Sequence, residues 1–307
     1  MAHDQQMPQQ SATDNNLSGI LFMLSGIFVL TIMDVAAKIL VEADYSPFQI
    51  LAFRGWIITA TFLAWFAAKG QLGKLKSNRG KHLAIRGVIG FFAPFLFFTA
   101  LGELPLADTV VIFFAAPFLM TALSIPLLKE TVGRYRWAAI AVGFIGVIIV
   151  IQPSGGDFKT GTLYAMGACL AYSLVQLMTR WMSNTETPIR LVFSFNLVVA
   201  IIGTAALPFV WKPMSFEHVM VLLALSAIAM LGHTLMTTAF TRAPISVIAP
   251  FEYSALLWTT IFGFVIWGDF PANQIWIGAG IIIVCGIYMI HRERVAKKSE
   301  PRETLNI

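Results

Sequence analysis

Charge is what this sequence has least of. Only 12% of its 307 residues are Asp, Glu, Lys or Arg, against about 25% in an average soluble domain. A chain so poor in charge cannot cover a water-facing surface, which excludes an ordinary soluble enzyme or binding module. Cysteine is nearly missing. Cys169 and Cys285 both stand inside apolar runs, so neither a disulfide framework nor a zinc site can be argued; they read as small buried hydrophobes. The first sixteen residues, MAHDQQMPQQSATDNN, hold no Lys or Arg. A secretory signal peptide needs a basic n-region and a small-residue cleavage site, and the first apolar run has neither. HExxH, a Ser–Lys pair, clustered Asp and a Walker sequence are all missing. Their absence argues against a membrane-embedded hydrolase and against direct use of ATP. No catalytic group, metal site or cofactor is expected.

What the chain does have is hydrophobic length. Hydrophobic residues make up 57% of it, and mean hydropathy is +0.76. A spanning helix takes about 20 mostly apolar residues. Ten segments qualify: 18–40, 47–68, 83–101, 106–128, 135–151, 160–180, 189–210, 217–240, 244–267 and 273–291. The fold class expected is therefore all-α and integral to the membrane. The net charge of +5 raises nucleic acid as a partner. The basic residues instead sit in short connections between apolar runs, as membrane topology demands, so the expected partner is the bilayer and no nucleic acid. With the N-terminus inside, cytoplasmic connections collect Lys69, Lys74, Lys76, Arg79, Lys81 and Arg86, then Lys129, Arg134 and Arg136, then Arg180, Arg190 and Arg242, and the tail adds Arg292, Arg294, Lys297, Lys298 and Arg302. The opposite connections keep only Lys159 and Lys212. This predicts a multi-pass protein of the bacterial inner membrane with both termini cytoplasmic.

The chain also repeats itself. Gly19, Leu21 and Lys38 of the first span align with Gly161, Leu163 and Arg180 of the sixth at an offset of 142 (161 − 19). Leu104-Pro105-Leu106-Ala107 aligns with Ala243-Pro244-Ile245-Ser246 at an offset of 139 (243 − 104), which carries Glu130 onto Asp269 and Trp137 onto Trp276. Two halves of five spans result. Five is odd, so the second half enters the membrane upside down relative to the first. Inverted repeats are the pattern of secondary transporters, with the substrate near the midplane between the halves. The expected organisation is a disordered cytoplasmic tail at 1–17, a first repeat at 18–151, a periplasmic linker at 152–159, a second repeat at 160–291 and a basic cytoplasmic tail at 292–307.

Several stretches carry a family likeness over nearly the whole chain. They are MDVAAKIL, FQILAFRGW, LPLADTVVIFFAAPFLMTALSIPLLKE and RYRWAAIAVGFIGVIIVIQP in the first half, and APISVIAPFEYSALLWTTIFGFVIWGDFP and IWIGAGIIIVCGIYMI in the second. The chain resembles the ten-helix EamA-like members of the drug/metabolite transporter superfamily. Through its Asp-x-x-x-Lys, Phe-Arg and Ala-Pro-Phe-Glu-Tyr sequences it is most similar to a branch holding bacterial S-adenosylmethionine and riboflavin uptake proteins. The resemblance implies two inverted five-helix repeats whose fifth helices pack rather than line the substrate.

Ionisable groups within the spans are few, and each is a candidate for substrate binding or coupling as well as for a structural bond between helices. Asp34 and Lys38, spaced i, i+4 with the acid first, can pair along one face or wall a polar cavity. Arg54 lies about 10 Å into the second span, counted from Pro47. Its guanidinium can hold a carboxylate or phosphate bidentately, or pair with Asp34 or Asp108. Glu252, roughly 12 Å into the ninth span, meets a cation or takes up a proton, which makes it the candidate for proton coupling or for a cationic substrate. Tyr253 beside it offers a hydroxyl on a flat ring. His233 in the eighth span is a further candidate. Gln176 matches Asp34 (34 + 142) and Asn196 stands near the match of Arg54, a difference between the halves that suits one asymmetric ligand. Pro94, Pro117, Pro126, Pro208 and Pro250 predict bends. Gly143, Gly146, Gly278 and Gly280 predict close approach of the fifth and tenth spans.

The function expected is alternating-access transport of a small organic metabolite. Riboflavin uptake leads, because dense aromatic residues and few embedded charges suit a large neutral ring system. S-adenosylmethionine uptake, or export of amino acids or other metabolites, are the alternatives.

Overall fold

The computed structural model describes residues 9–129, 133–151, 159–182, 185–243 and 248–299. Among them every regular element is helical. In the first half, α1 is Gln9–Glu42, α2 Pro47–Ala68 and α3 Gly80–Leu101; the fourth crossing is divided into α4, Leu106–Phe113, and α5, Ala116–Leu128; α6 is Arg134–Ile151. In the second half, α7 is Thr160–Met182, α8 Pro188–Val210 and α9 Phe216–Arg242. The ninth crossing starts as a 3-10 turn, Ala249–Tyr253, continues as α10, Ser254–Phe262, and ends in a π turn, Gly263–Trp267; α11 is Asn273–Ser299. Seven crossings among the described residues are long and apolar enough to span alone, and Trp137–Ile151, Phe251–Trp267 and Asn273–Met289 are shorter apolar helices. Large apolar side chains such as Leu21, Trp65, Phe92 and Val284 point outward, as lipid contact requires.

Local chemistry sets the helix starts. Ser46 and Thr187 cap the equivalent helices α2 and α8, each accepting a backbone N–H, with Pro47 and Pro188 in the first turn. A capping hydroxyl followed by proline satisfies one orphan donor and removes another. Residues 9–17, expected as disordered tail, instead continue α1. No proline or glycine lies between Gln9 and Ser18, and extending a formed helix is cheap where starting one is not. Likewise 292–299 continue α11. Residues 1–8, the 152–158 linker and 300–307, with Glu130 and residues 244–247 of the repeat alignment, lie outside the described residues.

Packing follows an internal two-fold. α1 packs along α9, as its counterpart α7 packs along α3; α2 packs on its counterpart α8, and α6 on α11. The sequence offsets reappear as contacts. A Cβ added to Gly19 would lie 2.5 Å from Cβ of Ala243, and one added to Gly161 would lie 2.8 Å from Cγ of Leu104. These are one contact in two copies, related by 142 on one side and 139 on the other. α5 ends in left-handed Lys129 at φ 56°, and the ninth crossing ends in left-handed Gly268 at φ 74°, again 139 apart. Gly146 and Gly278 meet reciprocally between α6 and α11, as predicted, whereas Gly143 faces Phe118 and Gly280 faces open space. Pro94, Pro126 and Pro208 sit inside unbroken helices, so three of the expected bends do not interrupt their helices.

The connections latch in a two-fold manner too. At one end Gln49 and Lys212 exchange hydrogen bonds of 2.7 and 3.0 Å, Lys212 donates to the Ala43 carbonyl at 2.8 Å, and Tyr45 hydroxyl lies 3.2 Å from Nδ1 of His218. At the other, Glu186 accepts from Ser77 and pairs with Arg190 at 3.5 Å, and Arg190 donates to the Lys74 carbonyl at 3.0 Å.

Candidate functional site

The fourth and ninth crossings are the discontinuous ones, and they break at matching points. Pro117 has no N–H to give to the carbonyl of Phe113, four residues back, so α4 stops at Phe113 and α5 starts at Ala116. The Cys169 thiol of α7 lies 3.8 Å from that freed carbonyl, and Ser173 hydroxyl donates to the Ala116 carbonyl at 3.3 Å. The ninth crossing passes from 3-10 to α-helix at Tyr253–Ser254, which is Phe114–Ala115 advanced by 139. The two junctions touch. Phe114 and Tyr253 meet edge to face, with centroids 5.1 Å apart and planes at 84°.

Aromatic and polar side chains gather around this crossing point. Phe113 lies 4.9 Å from Tyr172 of α7 and 5.4 Å from Phe97 of α3, by centroids. Gln176 donates to the Tyr172 hydroxyl at 3.0 Å. The Glu252 carboxylate lies within electrostatic reach of both Tyr172 and Tyr253. Of the predicted residues, Gln176, Glu252 and Tyr253 are thus brought together, with Tyr172 and Phe113 as the members missing from the candidate set. Their signal was sparse, since nothing in an apolar run marks which aromatic faces inward.

Asp34, Arg54 and His233 form a second group, from α1, α2 and α9, in which Arg54 acts electrostatically on each of the other two. Arg54 is 8% exposed, and its Nε has no hydrogen-bond partner. Among the described residues, neither a hydrogen bond nor a close ion pair reaches the side chains of Asp34, Arg54 or Glu252.

Lys38 departs from expectation. It does not pair with Asp34. Its Nζ donates to the carbonyls of Leu101 and Leu104 at 2.8 and 2.9 Å and pairs with Glu42 at 3.1 Å. The last carbonyls of a helix have no donors of their own, and a lysine near them satisfies both the bonds and the dipole. Glu42, one turn beyond Lys38, also accepts from the Trp267 indole, which ties α1 to the π turn. Asp108 is likewise not the partner of Arg54; its charged neighbours are Lys159, Asp269 and Lys38. Asn196 donates to Val192 of its own helix at 2.9 Å, beside the close approach of Gly55 to α8. An apolar cleft of about 230 Å³ between α4, α5, α6 and α7 is lined by residues such as Ile112, Phe144 and Leu170, and none of the polar candidates borders it.

Residues 17–152 and 159–292 each match the EamA-like transporter family. The S-adenosylmethionine uptake transporter of Rickettsia prowazekii (strain Madrid E) is 26% identical over 285 residues, covering 92% of this chain and 96% of the relative. The riboflavin transporter of Vibrio cholerae serotype O1 is 24% identical over 295 residues, covering 92% and 96%. The pseudopaline exporter CntI of Pseudomonas aeruginosa is 24% identical over 285 residues, covering 90% and 97%. A solved structure described only as a crystal structure of protein superposes with a TM-score of 0.58 at 18% identity, covering 95% of this chain and all of its own; that likeness is one of fold.

Proposed function

The chain belongs to the EamA-like transporter family, and on that footing we propose that it carries a flat-ringed, charge-bearing metabolite into the cell across the bacterial inner membrane. It is a transporter rather than an enzyme. The observation that carries the substrate reading is the company kept by the unpaired ionisable groups. Among the described residues, no hydrogen bond is made by the side chains of Asp34, Arg54 or Glu252, Arg54 Nε being buried without a partner, and Glu252 lies within electrostatic reach of two tyrosines. A charge left without a partner within the membrane is costly, and a ligand or water beside it offsets that cost. Tyrosine faces add a surface for a ring or a cation. Of the substrates named for the relatives, S-adenosylmethionine combines a flat base, a sulfonium and an amino-acid head, and so matches rings and charges together. Riboflavin is the second reading, supported by the stacked rings of Phe48, Phe91 and Phe95 and by Phe97, Phe113 and Tyr172 around the junction.

In this proposal the halves rock about the Phe114–Tyr253 contact, exposing the substrate alternately to each side. Glu252 is the candidate for proton coupling. The test is uptake of labelled S-adenosylmethionine by proteoliposomes holding the full chain, competed by riboflavin and by amino acids. Saturable uptake blocked by unlabelled S-adenosylmethionine is expected. Uptake blocked by riboflavin alone, together with rescue of a riboflavin auxotroph, would replace the first reading with the second.

A further inference from the structure

We propose that Arg54 anchors a carboxylate of the transported molecule, and that Asp34 is the internal stand-in for that carboxylate when no substrate is bound. This rests on the transport reading above and adds the chemical group that the site selects.

The inference comes from comparing three buried cations. Lys38 is held by two carbonyls and Glu42. Arg86 donates to the hydroxyl of Thr179 at 2.9 Å and to the carbonyl of Leu191 at 3.1 Å. Both are fastened to the scaffold and have little left to offer a ligand. Arg54 is as deeply buried, at 8% exposed, yet its Nε is unpartnered and no described residue hydrogen-bonds its guanidinium. The charged or titratable groups that face it are Asp34 from α1 and His233 from α9. From α8, Asn196 turns its amide to its own helix. Asp34 is therefore close enough to balance the charge of Arg54 without closing onto it.

A guanidinium presents a rigid planar fork that matches a carboxylate with two parallel bonds. With the fork open and a carboxylate standing off it, an incoming substrate carboxylate completes the arrangement and relieves Arg54 of Asp34. The two residues then act on binding with opposite sign. Removing Arg54 removes the anchor. Neutralising Asp34 removes the competitor and tightens binding of a carboxylate ligand. An ion pair that merely fastens α1 to α2 would behave otherwise, because breaking it from either side loosens the same contact.

The experiment uses the full chain in lipid nanodiscs for binding and in proteoliposomes for transport. The probes are S-adenosylmethionine, its decarboxylated counterpart and riboflavin, which carries no carboxylate. Wild type is expected to bind S-adenosylmethionine about tenfold tighter than the decarboxylated form, the worth of a charge-assisted hydrogen bond. Arg54→Gln should erase that ratio, Arg54→Lys should restore part of it, and Asp34→Asn should increase affinity for S-adenosylmethionine. If Arg54→Gln fails to fold, as judged by thermal melting, Arg54→Lys and Asp34→Asn carry the test. Equal binding of both forms by wild type, or weakened binding in Asp34→Asn, overturns the assignment. Transport of riboflavin alone overturns it while leaving the transport reading standing. Absence of transport of every probe by wild type overturns the transport reading itself for these substrates.

Discussion

Phe114 and Tyr253 occupy the same place in the two halves of the chain, 139 residues apart, and their rings touch edge to face at 5.1 Å. Each marks the point where its crossing changes course, Phe114 between α4 and α5 and Tyr253 between a 3-10 turn and α10. A symmetry axis passing between two helix discontinuities is where a secondary transporter places its ligand.

The contact depends on a glycine that abuts one of the two rings. A Cβ added at Gly286 of α11 would lie 1.7 Å from the Tyr253 hydroxyl. Gly286→Ala should push the tyrosine off Phe114, forfeiting about 0.5–1.5 kcal/mol of ring pairing, and should raise the KM for uptake. Tyr253→Phe removes the nearer clashing atom and keeps the ring, leaving Cζ 2.8 Å from the added Cβ, so the double variant should recover part of the lost uptake. Uptake in the double variant no better than in Gly286→Ala would refute this geometry.

Lys38 should matter for folding more than for selectivity. Lys38→Met leaves the Leu101 and Leu104 carbonyls without their donor and Glu42 without its cation. Removing one side of a buried ion pair costs about 3–5 kcal/mol, and with Glu42 38% exposed the lower end is expected. Melting temperature in detergent should fall while the KM of the surviving folded protein stays put. A large KM change at an unchanged melting temperature would instead make Lys38 a ligand contact.

The outer pair of helices offers a matched comparison. At Gly278 an added Cβ would lie 2.7 Å from the Gly146 carbonyl oxygen and 2.4 Å from Val150, whereas at Gly280 it would meet nothing. Gly278→Ala should destabilise by about 1–3 kcal/mol through overpacking. Gly280→Ala should stay within about 0.5 kcal/mol of wild type. Equal melting temperatures for the two variants would contradict the α6–α11 packing.

Orientation is open to direct reading with reporters. Alkaline phosphatase fused after Lys76 should be inactive and fused after Pro213 active, and a fluorescent protein after Ile307 should fluoresce from the cytoplasm. The reverse pattern would invert the topology assigned from the Lys and Arg distribution.

How much of this was legible beforehand varies with distance along the chain. Spans were readable because membrane helices need only length and apolarity, both local properties. The repeat was readable because two offsets, 142 and 139, survive as shared residues, and the Gly19–Ala243 and Gly161–Leu104 contacts follow from both offsets together. The pairing of charges was not readable. Asp34 and Lys38 have ideal helical spacing, and Lys38 turned instead to carbonyls more than sixty residues away. Likewise no pattern distinguished Pro117, which breaks its helix, from Pro94, Pro126 and Pro208, which do not.

The sequence by itself determined that this chain lives in a bilayer, as ten apolar crossings in two halves of opposite sense, because hydrophobic length and repetition are written residue by residue. Only the tertiary structure decided which buried charges are bound to the scaffold and which face each other unbound. A side chain's partner depends on what a neighbouring helix brings within 3 Å or so, and helices that meet in space, such as α1 and α9, stand far apart in the chain.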